Sequence, residues 1–195
     1  YPHIHFSVYE SNSADLLDAV LKNKIQIAVT SEAASPNGVS VRFLTKSENV
    51  IFLRAGSEAR AKAYVKNGKR YLDPRCLKDE PIALTKKGAS SRAIADKVFA
   101  ECGFKPNLLL ETSHISTLVR NARAGLSSSI SPCTQEAYEL DEDGDIIYHI
   151  PESYKWSKIR VVTYTLMETD RLIPREMFEI IRKITIDSGV FYIRK

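Results

Sequence analysis

The sequence predicts an α/β protein that is built from two small units of parallel strands and helices. Three observations lead to this prediction. The first 30 residues have the order strand, helix, strand, which is a βαβ unit. The same order starts again at Pro81 and continues through two helices to Pro132. The predicted strand "IQIAVT" is almost continuously apolar, as is typical of a parallel strand that helices cover on both faces.

The first unit begins with "HIHFSVYE", where Ile4, Phe6 and Val8 alternate with polar residues and predict a strand. The segment "SNSADLLDAVLKNK" predicts a helix with Ser13 as its N-cap, and "IQIAVT" is the strand after it. "VRFLTKSENVIFLRAG" predicts two further strands. Residues 64–81 are polar and rich in turn residues, so they predict a connector rather than a part of the core.

The second unit begins with the strand "IALT", followed by the helix "SRAIADKVFAECG", which Gly103 ends. "LLLE", "ISTLVRNARAG" and "SSSIS" continue the series as strand, helix and strand. Further along the chain, "GDIIYHI" and "KIRVVTYTLM" predict strands. "IPREMFEIIRKITIDSG" predicts a helix that begins at Pro174 and ends before Gly189.

Composition and charge describe an ordinary globular domain, because 44% of the 195 residues are hydrophobic and the net charge is only +4. Positive residues are scattered, so they do not indicate a nucleic-acid surface. Cys76, Cys102 and Cys133 lack CxxC spacing, which argues against a disulfide framework or zinc site; we predict unreactive thiols in a reducing compartment. No apolar run approaches the length of a membrane span, and no secretion signal is visible, so we expect a cytoplasmic protein.

Hydroxyl side chains recur at four junctions where a predicted strand ends: "YESNSAD", "AVTSEA", "ALTKKGASSR" and "ETSHIS". Open α/β sheets bind ligands at the carboxyl ends of their strands, and helix N-termini attract anions. These junctions therefore predict a small polar cavity for an anion or a small acid. Any single Ser or Thr here is more commonly a helix cap, so the prediction depends on their recurrence. The candidate residues are Ser11, Ser13, Thr30, Thr85, Ser90, Ser91, Thr112, Ser113 and His114.

Enzymatic and metal-binding chemistry is not indicated by the sequence. P-loop, GxGxxG and GxSxG motifs are absent from it. His114 adjoins a serine, but a catalytic triad depends on geometry rather than on adjacency in sequence. His3 and His5 lack an acidic or sulfur partner for a metal, residues 141–145 lack the distal Glu of a calcium loop, and His149 stands alone. We predict no catalytic residue, no metal site and no cofactor.

The sequence resembles the effector-binding domain of LysR-type transcriptional regulators over nearly its whole length. "YPHIHFSVYESNSADLLDAVLKNKIQIAVT" is similar to the family's strand after "YP", its leucine-rich helix and its strand "LDLAI". "GFKPNLLLETSHISTLVRNARAGLSSSISP" resembles the family's "GF.P" helix end, the strand that ends on "E", the small helix and the "AGLG" turn. Gln26 and Ser127 depart from the Asp and Gly of the family pattern.

The resemblance implies a periplasmic-binding-protein type II fold, in which two Rossmann-like subdomains are joined by two crossover strands and bind a small effector between them. Subdomain I would comprise residues 1–53 and 160–195, and subdomain II residues 54–159. By matching position, Ser131 joins the candidate effector-binding residues. The resemblance further implies that the family's first strand and helix, and its winged helix–turn–helix, lie upstream of this chain.

The function that the resemblance implies is effector binding and oligomerisation in a bacterial transcription regulator, with a small anionic or carboxylate metabolite as the effector. Homodimers or homotetramers would form through the strand at residues 3–9 and the helix at residues 92–102, and DNA would be contacted only through the upstream domain. A solute-binding protein of a transport system shares the fold and is the alternative. Free cysteines and the lack of a visible signal sequence count against that alternative.

Overall fold

The computed structural model describes residues 7–32, 36–141, 143–173 and 175–187. The strands in these residues are β1 Ala28–Ser31, β2 Val39–Phe52, β3 Tyr64–Lys66, β4 Lys69–Tyr71, β5 Pro81–Thr85, β6 Asn107–Thr112, β7 Ser129–Pro132, β8 Ile147–His149 and β9 Lys158–Leu166. The α-helices are α1 Ser13–Leu21, α2 Ser90–Cys102, α3 Ile115–Arg123, α4 Gln135–Leu140, α5 Met167–Asp170 and α6 Arg175–Asp187. Short 3-10 helices occur at Glu58–Lys62 and Pro74–Leu77. None of these helices combines the length and the apolarity that crossing a bilayer requires.

Helix α1 and strand β1 confirm two elements of the first unit. The predicted strand before them falls largely on residues 1–6, which lie outside the described residues, and residues 7–12 have no regular secondary structure. The described neighbour of β1 is β9, which runs antiparallel to it. The apolar run predicts that β1 pairs with a parallel strand. Along the edge of β1 that faces β9, the pairing is antiparallel instead.

Residues 39–52 form one 14-residue strand, so the prediction of two separate strands in this region is wrong. Strand β2 pairs antiparallel with β9 from Val39 to Glu48, with an irregularity between Phe43 and Thr45. From Asn49 onward it pairs instead with β7, and from Val50 also with β8. A local irregularity lets one strand bend without ending. The sequence pattern shows such a strand as two separate apolar runs, so it does not reveal that the strand is continuous. Strand β2 thus pairs in both parts of the fold, as a crossover strand does.

The second strand–helix series is confirmed in the predicted order. Strands β5 and β6 pair in parallel, and a parallel bridge between Ile82 and Ser128 places β7 on the other side of β5. Helix α2 ends at Gly103, whose φ of 78° lies in the left-handed region that glycine adopts without strain. The carboxyl ends of β5, β6 and β7 consequently lie at one edge of this part of the fold.

The segment from residue 64 to residue 81 contributes to the core through its second half, so its prediction as a connector is wrong in part. Strands β3 and β4 form a hairpin around Asn67 and Gly68, both with positive φ, as a two-residue Asn-Gly turn requires. Leu72 and Leu77 follow the hairpin and are completely buried. Two leucines in a polar stretch give no periodic signal, which explains why the sequence pattern did not reveal them.

Buried side chains form separate clusters on the two faces of the sheets. One cluster packs under α2 and includes Phe99, and a second packs under α3 and includes Leu118. Around β1 and β9, α1 covers a third cluster that contains Val20, and Phe178 of α6 packs on a fourth. The crossover strand β2 supplies residues to clusters in both halves, so the two subdomains share a continuous strand rather than a flexible linker.

Candidate functional site

The first two hydroxyl-bearing junctions meet through a hydrogen bond between side chains. Oγ of Ser13, in the first turn of α1, lies 2.6 Å from Oγ1 of Thr30, which is buried near the end of β1. The predicted N-cap is wrong by one residue: Asn12 caps α1, because its Oδ1 accepts from the backbone N–H groups of Ala14 and Asp15. With the cap supplied by Asn12, the Ser13 hydroxyl bonds to the end of the neighbouring strand instead.

The third junction is closed internally by a hydroxyl contact, and the backbone joins it to the fourth. Within the third junction, Oγ1 of Thr85 lies 2.7 Å from Oγ of Ser91, and both residues are buried. Thr112 is the register partner of Thr85 across the β5–β6 pair, and the backbone N–H of Lys86 donates to the carbonyl oxygen of Thr112 at 2.8 Å. Ser90 is half-buried at the start of α2. These hydroxyls therefore cluster at the carboxyl edge of subdomain II.

A direct contact links these two sets of junctions. The backbone N–H of Ala14 donates to the carbonyl oxygen of Gly88, in the loop between β5 and α2, at 3.3 Å. A Cβ on Gly88 would lie 3.6 Å from Oδ1 of Asn12, so the capped end of α1 rests on this loop. Ser11 donates to Oδ2 of Asp15 at 2.9 Å, which engages it within the first turn of α1. The four predicted junctions thus lie on one side of the molecule.

The beginnings of α2 and α3 differ from that of α1 in how their backbone donors are used. The N-cap residues of α2 and α3 are Ala89 and His114, and neither makes a side-chain capping hydrogen bond. His114 and Ser113 are exposed, and the His114 backbone N–H donates to Oγ1 of Thr112 at 3.3 Å. First-turn N–H groups carry a partial positive charge and, without a cap, are available to an anion.

Ser131 lies at the carboxyl end of β7 in the same part of the fold. It pairs with Val50 of β2. The parallel bridge between Ile82 and Ser128 sets the start of β7 beside β5. Ser131 is fully buried, and its Oγ has no hydrogen-bond partner among the described residues. Because the two strands run in the same direction, the carboxyl end of β7 with Ser131 lies on the same side as the carboxyl end of β5 with Thr85.

Arg92 holds the subdomain II junctions in place. This buried guanidinium donates to the carbonyl oxygen of Thr85 at 3.2 Å and to the carboxylates of Asp96 and Glu111. Burial acts to lower the pKa of Arg92, but the hydrogen bonds to Glu111 and Asp96 outweigh it and raise the pKa above its ordinary value. Arg92 remains a cation that ties β5, β6 and α2 together, rather than a free charge for a ligand.

His149 does not stand alone, so that sequence-based interpretation is wrong. Its Nδ1 lies 2.9 Å from Oε2 of Glu48, and Nζ of Lys69 lies 2.8 Å from both carboxylate oxygens. The hydrogen bond with His149 and the nearby Lys69 lower the pKa of Glu48 to about 2, although burial acts in the opposite direction. A small surface pocket beside this group is lined partly by Tyr71 and contains none of the predicted effector-binding residues. Glu48 and His149 are distant in sequence, and no local pattern connects them.

The cysteines are placed where thiolates are disfavoured. Burial raises the pKa of Cys133 to about 12, and burial also raises the pKa values of Cys76 and Cys102 above their ordinary value. Raised pKa values disfavour the thiolate, which is the reactive form, and this agrees with the expectation of unreactive thiols, which stays a prediction. Within the described ranges, no group of three or more His, Cys, Asp or Glu side chains is arranged to hold a metal ion.

Comparison with known proteins gives consistent matches. The family model of the LysR substrate binding domain matches residues 1–177. The chain is 24% identical over 170 residues to the uncharacterized HTH-type transcriptional regulator YcgK of Bacillus subtilis (strain 168), and the match covers 76% of this chain and 48% of YcgK. The chain thus spans about half the length of this curated relative.

Solved structures support the same assignment at the level of the fold. The effector binding domain of QuiR in complex with shikimate has a TM-score of 0.73 at 15% identity, with 94% of this chain and 81% of that chain covered. The CcmR regulatory domain of Synechocystis PCC6803 in complex with 2-PG has a TM-score of 0.71 at 16% identity, with 92% and 85% covered. The predicted two-subdomain, periplasmic-binding-protein type II-like α/β fold is confirmed. Because the family model covers most of its length, the chain belongs to the LysR substrate binding domain family.

Proposed function

We propose that the chain is the effector-binding and oligomerisation domain of a bacterial LysR-type regulator, and that it senses a small anionic or carboxylate metabolite in the cleft between its subdomains. One observation carries this proposal: four hydroxyl-bearing junctions meet at the carboxyl ends of strands, beside two helix starts that no side chain caps. Such an arrangement offers many hydrogen bonds and a positive potential, and no described group of acid, base and nucleophile accompanies it.

The anionic group of the effector is expected on the subdomain II side. At α1, Asn12 already caps the first turn and Asp15 supplies a negative charge. At α2 and α3, the first-turn N–H groups have no side-chain cap, and Lys86 and Lys87 are exposed in the loop that leads into α2. A carboxylate therefore meets favourable charge at α2 and α3 and unfavourable charge at α1.

The mechanism follows from contacts that bridge the two subdomains. An effector held by Thr30 and Ser13 on one side and by Thr85 and Ser113 on the other favours the arrangement in which both sets are within reach. The contact between Ala14 and Gly88 supports such a closed arrangement, because it joins the same two elements. Binding then shifts the population of subdomain arrangements, and the oligomer transmits that shift to the DNA-binding part.

The proposed subdomain boundaries are residues 1–53 with 160–195, and residues 54–159. The partner exchange of β2 supports a division in this region, and it falls a few residues before residue 53: Glu48 is the last residue that pairs with β9, and Asn49 is the first that pairs with β7. Lys158, opposite Glu48, marks the corresponding point on the second crossover strand. The hinge of the proposed motion therefore lies within a few residues of these positions.

Oligomerisation is proposed to use residues 3–9 and the helix α2, and DNA is proposed to be bound by a winged helix–turn–helix upstream in the full protein. The relationship to an HTH-type regulator supports the second point, and cytoplasmic location follows from action on DNA. The strand β6, next to α2 in sequence, supports the first, because it exposes Leu108, Leu109 and Leu110, and Leu109 is 62% exposed. An antiparallel partner would cover this apolar edge.

A thermal-shift screen against small carboxylic acids tests the effector proposal. An acid that binds only the folded domain raises its Tm, and a concentration of 100 times Kd stabilises it by about 2.7 kcal/mol. Thr30→Ala and Ser113→Ala are expected to reduce that rise, while Ser153→Ala, an exposed serine outside the four junctions, leaves it unchanged. A panel in which no acid raises Tm, or an unchanged rise in both variants, would overturn the proposed site.

A further inference from the structure

We propose that the effector is a hydroxylated acid, and that its hydroxyl groups bind to two buried serines of β7, Ser129 and Ser131. This inference rests on the proposed function, because it assumes that an effector carboxylate binds at the starts of α2 and α3. It adds the chemical class of the effector and a residue, Ser129, that the sequence did not single out.

The two serine side chains lie on one face of β7. Ser131 pairs with Val50 and Ser129 pairs with Phe52, and both partners belong to the apolar cluster that Leu118 of α3 covers. Directly paired residues of antiparallel strands place their side chains on the same face. Ser129 and Ser131 are fully buried, and neither Oγ has a hydrogen-bond partner among the described residues.

Ser128, the residue just before β7, shows that this part of the chain can satisfy a buried hydroxyl fully. Oγ of Ser128 accepts from the backbone N–H of Arg54 at 3.0 Å and donates to Oε2 of Glu80 at 3.2 Å. Buried hydroxyls without partners are uncommon, because they lose hydration and gain nothing in return. Alanine would fill positions 129 and 131 without that cost. Two such hydroxyls side by side on one face therefore point to a partner that binds there.

Ser131 adjoins the place where the effector carboxylate is expected. Ile115, the first residue of α3, packs against the cluster that includes Val50 and Cys133, which neighbour Ser131 across the sheet and along the chain. Ser131 also lies at the carboxyl end of a strand that runs parallel to β5, which carries Thr85 at its own carboxyl end. Because Ser131 is fully buried, a hydroxyl group of an acid held at the first turn of α3 would reach it only with an outward displacement of that turn, and the proposal includes this displacement.

The lining of the four junctions agrees with a hydroxylated ligand. The described junction residues 10–13, 30–32, 85–91 and 112–116 contain no Phe, Tyr or Trp, so these residues offer no large aromatic face to an aromatic acid. In each of the pairs Ser13–Thr30 and Thr85–Ser91, either oxygen can donate. Hydroxyl pairs of this kind can both donate a hydrogen bond to an alcohol and accept one from it. An ionised carboxylate only accepts hydrogen bonds, so it needs donors alone.

Two matched sets of probes test the inference in thermal-shift measurements at equal concentration and ionic strength. Succinate, malate and tartrate share a four-carbon dicarboxylate skeleton and carry successively more hydroxyl groups, and benzoate and shikimate share a six-membered ring with one carboxylate. We expect the rise in Tm to increase from succinate to tartrate, and to be larger for shikimate than for benzoate. Ser129→Ala and Ser131→Ala are expected to remove most of the excess of tartrate over succinate, without lowering the Tm of the free domain.

Ser47→Ala is the matched control, because Ser47 is also buried without a partner among the described residues but lies on β2 opposite Ile159. It should keep the excess of tartrate over succinate. Equal shifts within each probe set would overturn the hydroxylated-acid class and leave the proposed function standing. An excess that persists in both β7 variants would overturn the role of the serines. If no probe changes Tm, the proposed anion site itself is wrong.

Discussion

Ser13 and Thr30 are joined by a hydrogen bond of 2.6 Å between their hydroxyl oxygens, and this bond ties the first turn of α1 to the end of β1. A helix and a loop separate Ser13 from Thr30 in the sequence, so the bond is a tertiary contact rather than a local helix cap. Asn12 makes it possible, because it takes the capping position that a serine would otherwise occupy.

Ser13→Ala and Thr30→Val are predicted to lower the free energy of unfolding by about 0.5–1.5 kcal/mol each, because each removes the same hydrogen bond. The double variant should cost little more than either single variant, since one bond can be lost only once. Urea unfolding of the four proteins measures this coupling. Fully additive losses would show that the two hydroxyls act independently.

Acidification is predicted to weaken the fold through Glu48. Its pKa is lowered from an ordinary 4.5 to about 2, so its ionised form stabilises the fold above pH 4.5, and this contribution is lost as the pH falls towards 2. Wild type should therefore lose stability more steeply between pH 5 and pH 3 than Glu48→Gln, as followed by urea unfolding. Glu10→Gln, at an exposed position away from Glu48, is the control and should retain the wild-type slope. Identical slopes for wild type and Glu48→Gln would exclude the Glu48 contribution.

Cys133 is predicted to resist alkylation in the folded protein, because it is buried and its pKa is raised to about 12. Iodoacetamide treatment at pH 8, followed by peptide mass spectrometry, should leave Cys133 unmodified until denaturant is added. Cys76 and Cys102 are half-buried and should react sooner than Cys133. Labelling of Cys133 at the rate of a free thiol would contradict its placement beneath α3 and α4.

Leu72→Ala is predicted to lower the free energy of unfolding by about 2–5 kcal/mol, because Leu72 is completely buried and its loss leaves a cavity. Val65→Ala, in the hairpin just before it, should change stability by less than about 0.5 kcal/mol, because Val65 is 71% exposed. Chemical denaturation of the pair distinguishes a core segment from a connector. A small effect of Leu72→Ala would restore the connector interpretation.

The order of elements in the second series was predictable because each is marked locally. Helix α2 shows helical spacing of apolar residues and a terminal glycine, and β5 is an apolar run between turn signals. The unbroken course of β2 was not predictable, because its continuity depends on a change of partner at Glu48 and Asn49 rather than on its composition. Short elements such as α4 and α5 also lack a periodic pattern long enough to recognise.

The site was predictable only in part for a similar reason. Hydroxyls at strand ends are visible in sequence, and the structure brings Ser13 to Thr30 and Thr85 to Ser91. Which hydroxyls pair with one another, and which remain without partners, depends on strand register. The sequence therefore does not distinguish Ser129 from Ser128. In the structure, the Ser128 hydroxyl has hydrogen-bond partners, and the Ser129 hydroxyl has none among the described residues.

The 14-residue strand β2 makes this domain unusually sensitive to insertions. Side chains alternate between faces along a strand, so one extra residue on either side of Glu48 moves every position beyond it to the opposite face. Since β2 supplies interior residues to both halves, such a shift moves Val50 and Phe52 out of the cluster under α3, or turns the exposed Lys46 to the face that carries the buried Ser47. Insertions and deletions among homologous domains should therefore occur in surface turns, while the strand that corresponds to β2 keeps a constant number of residues.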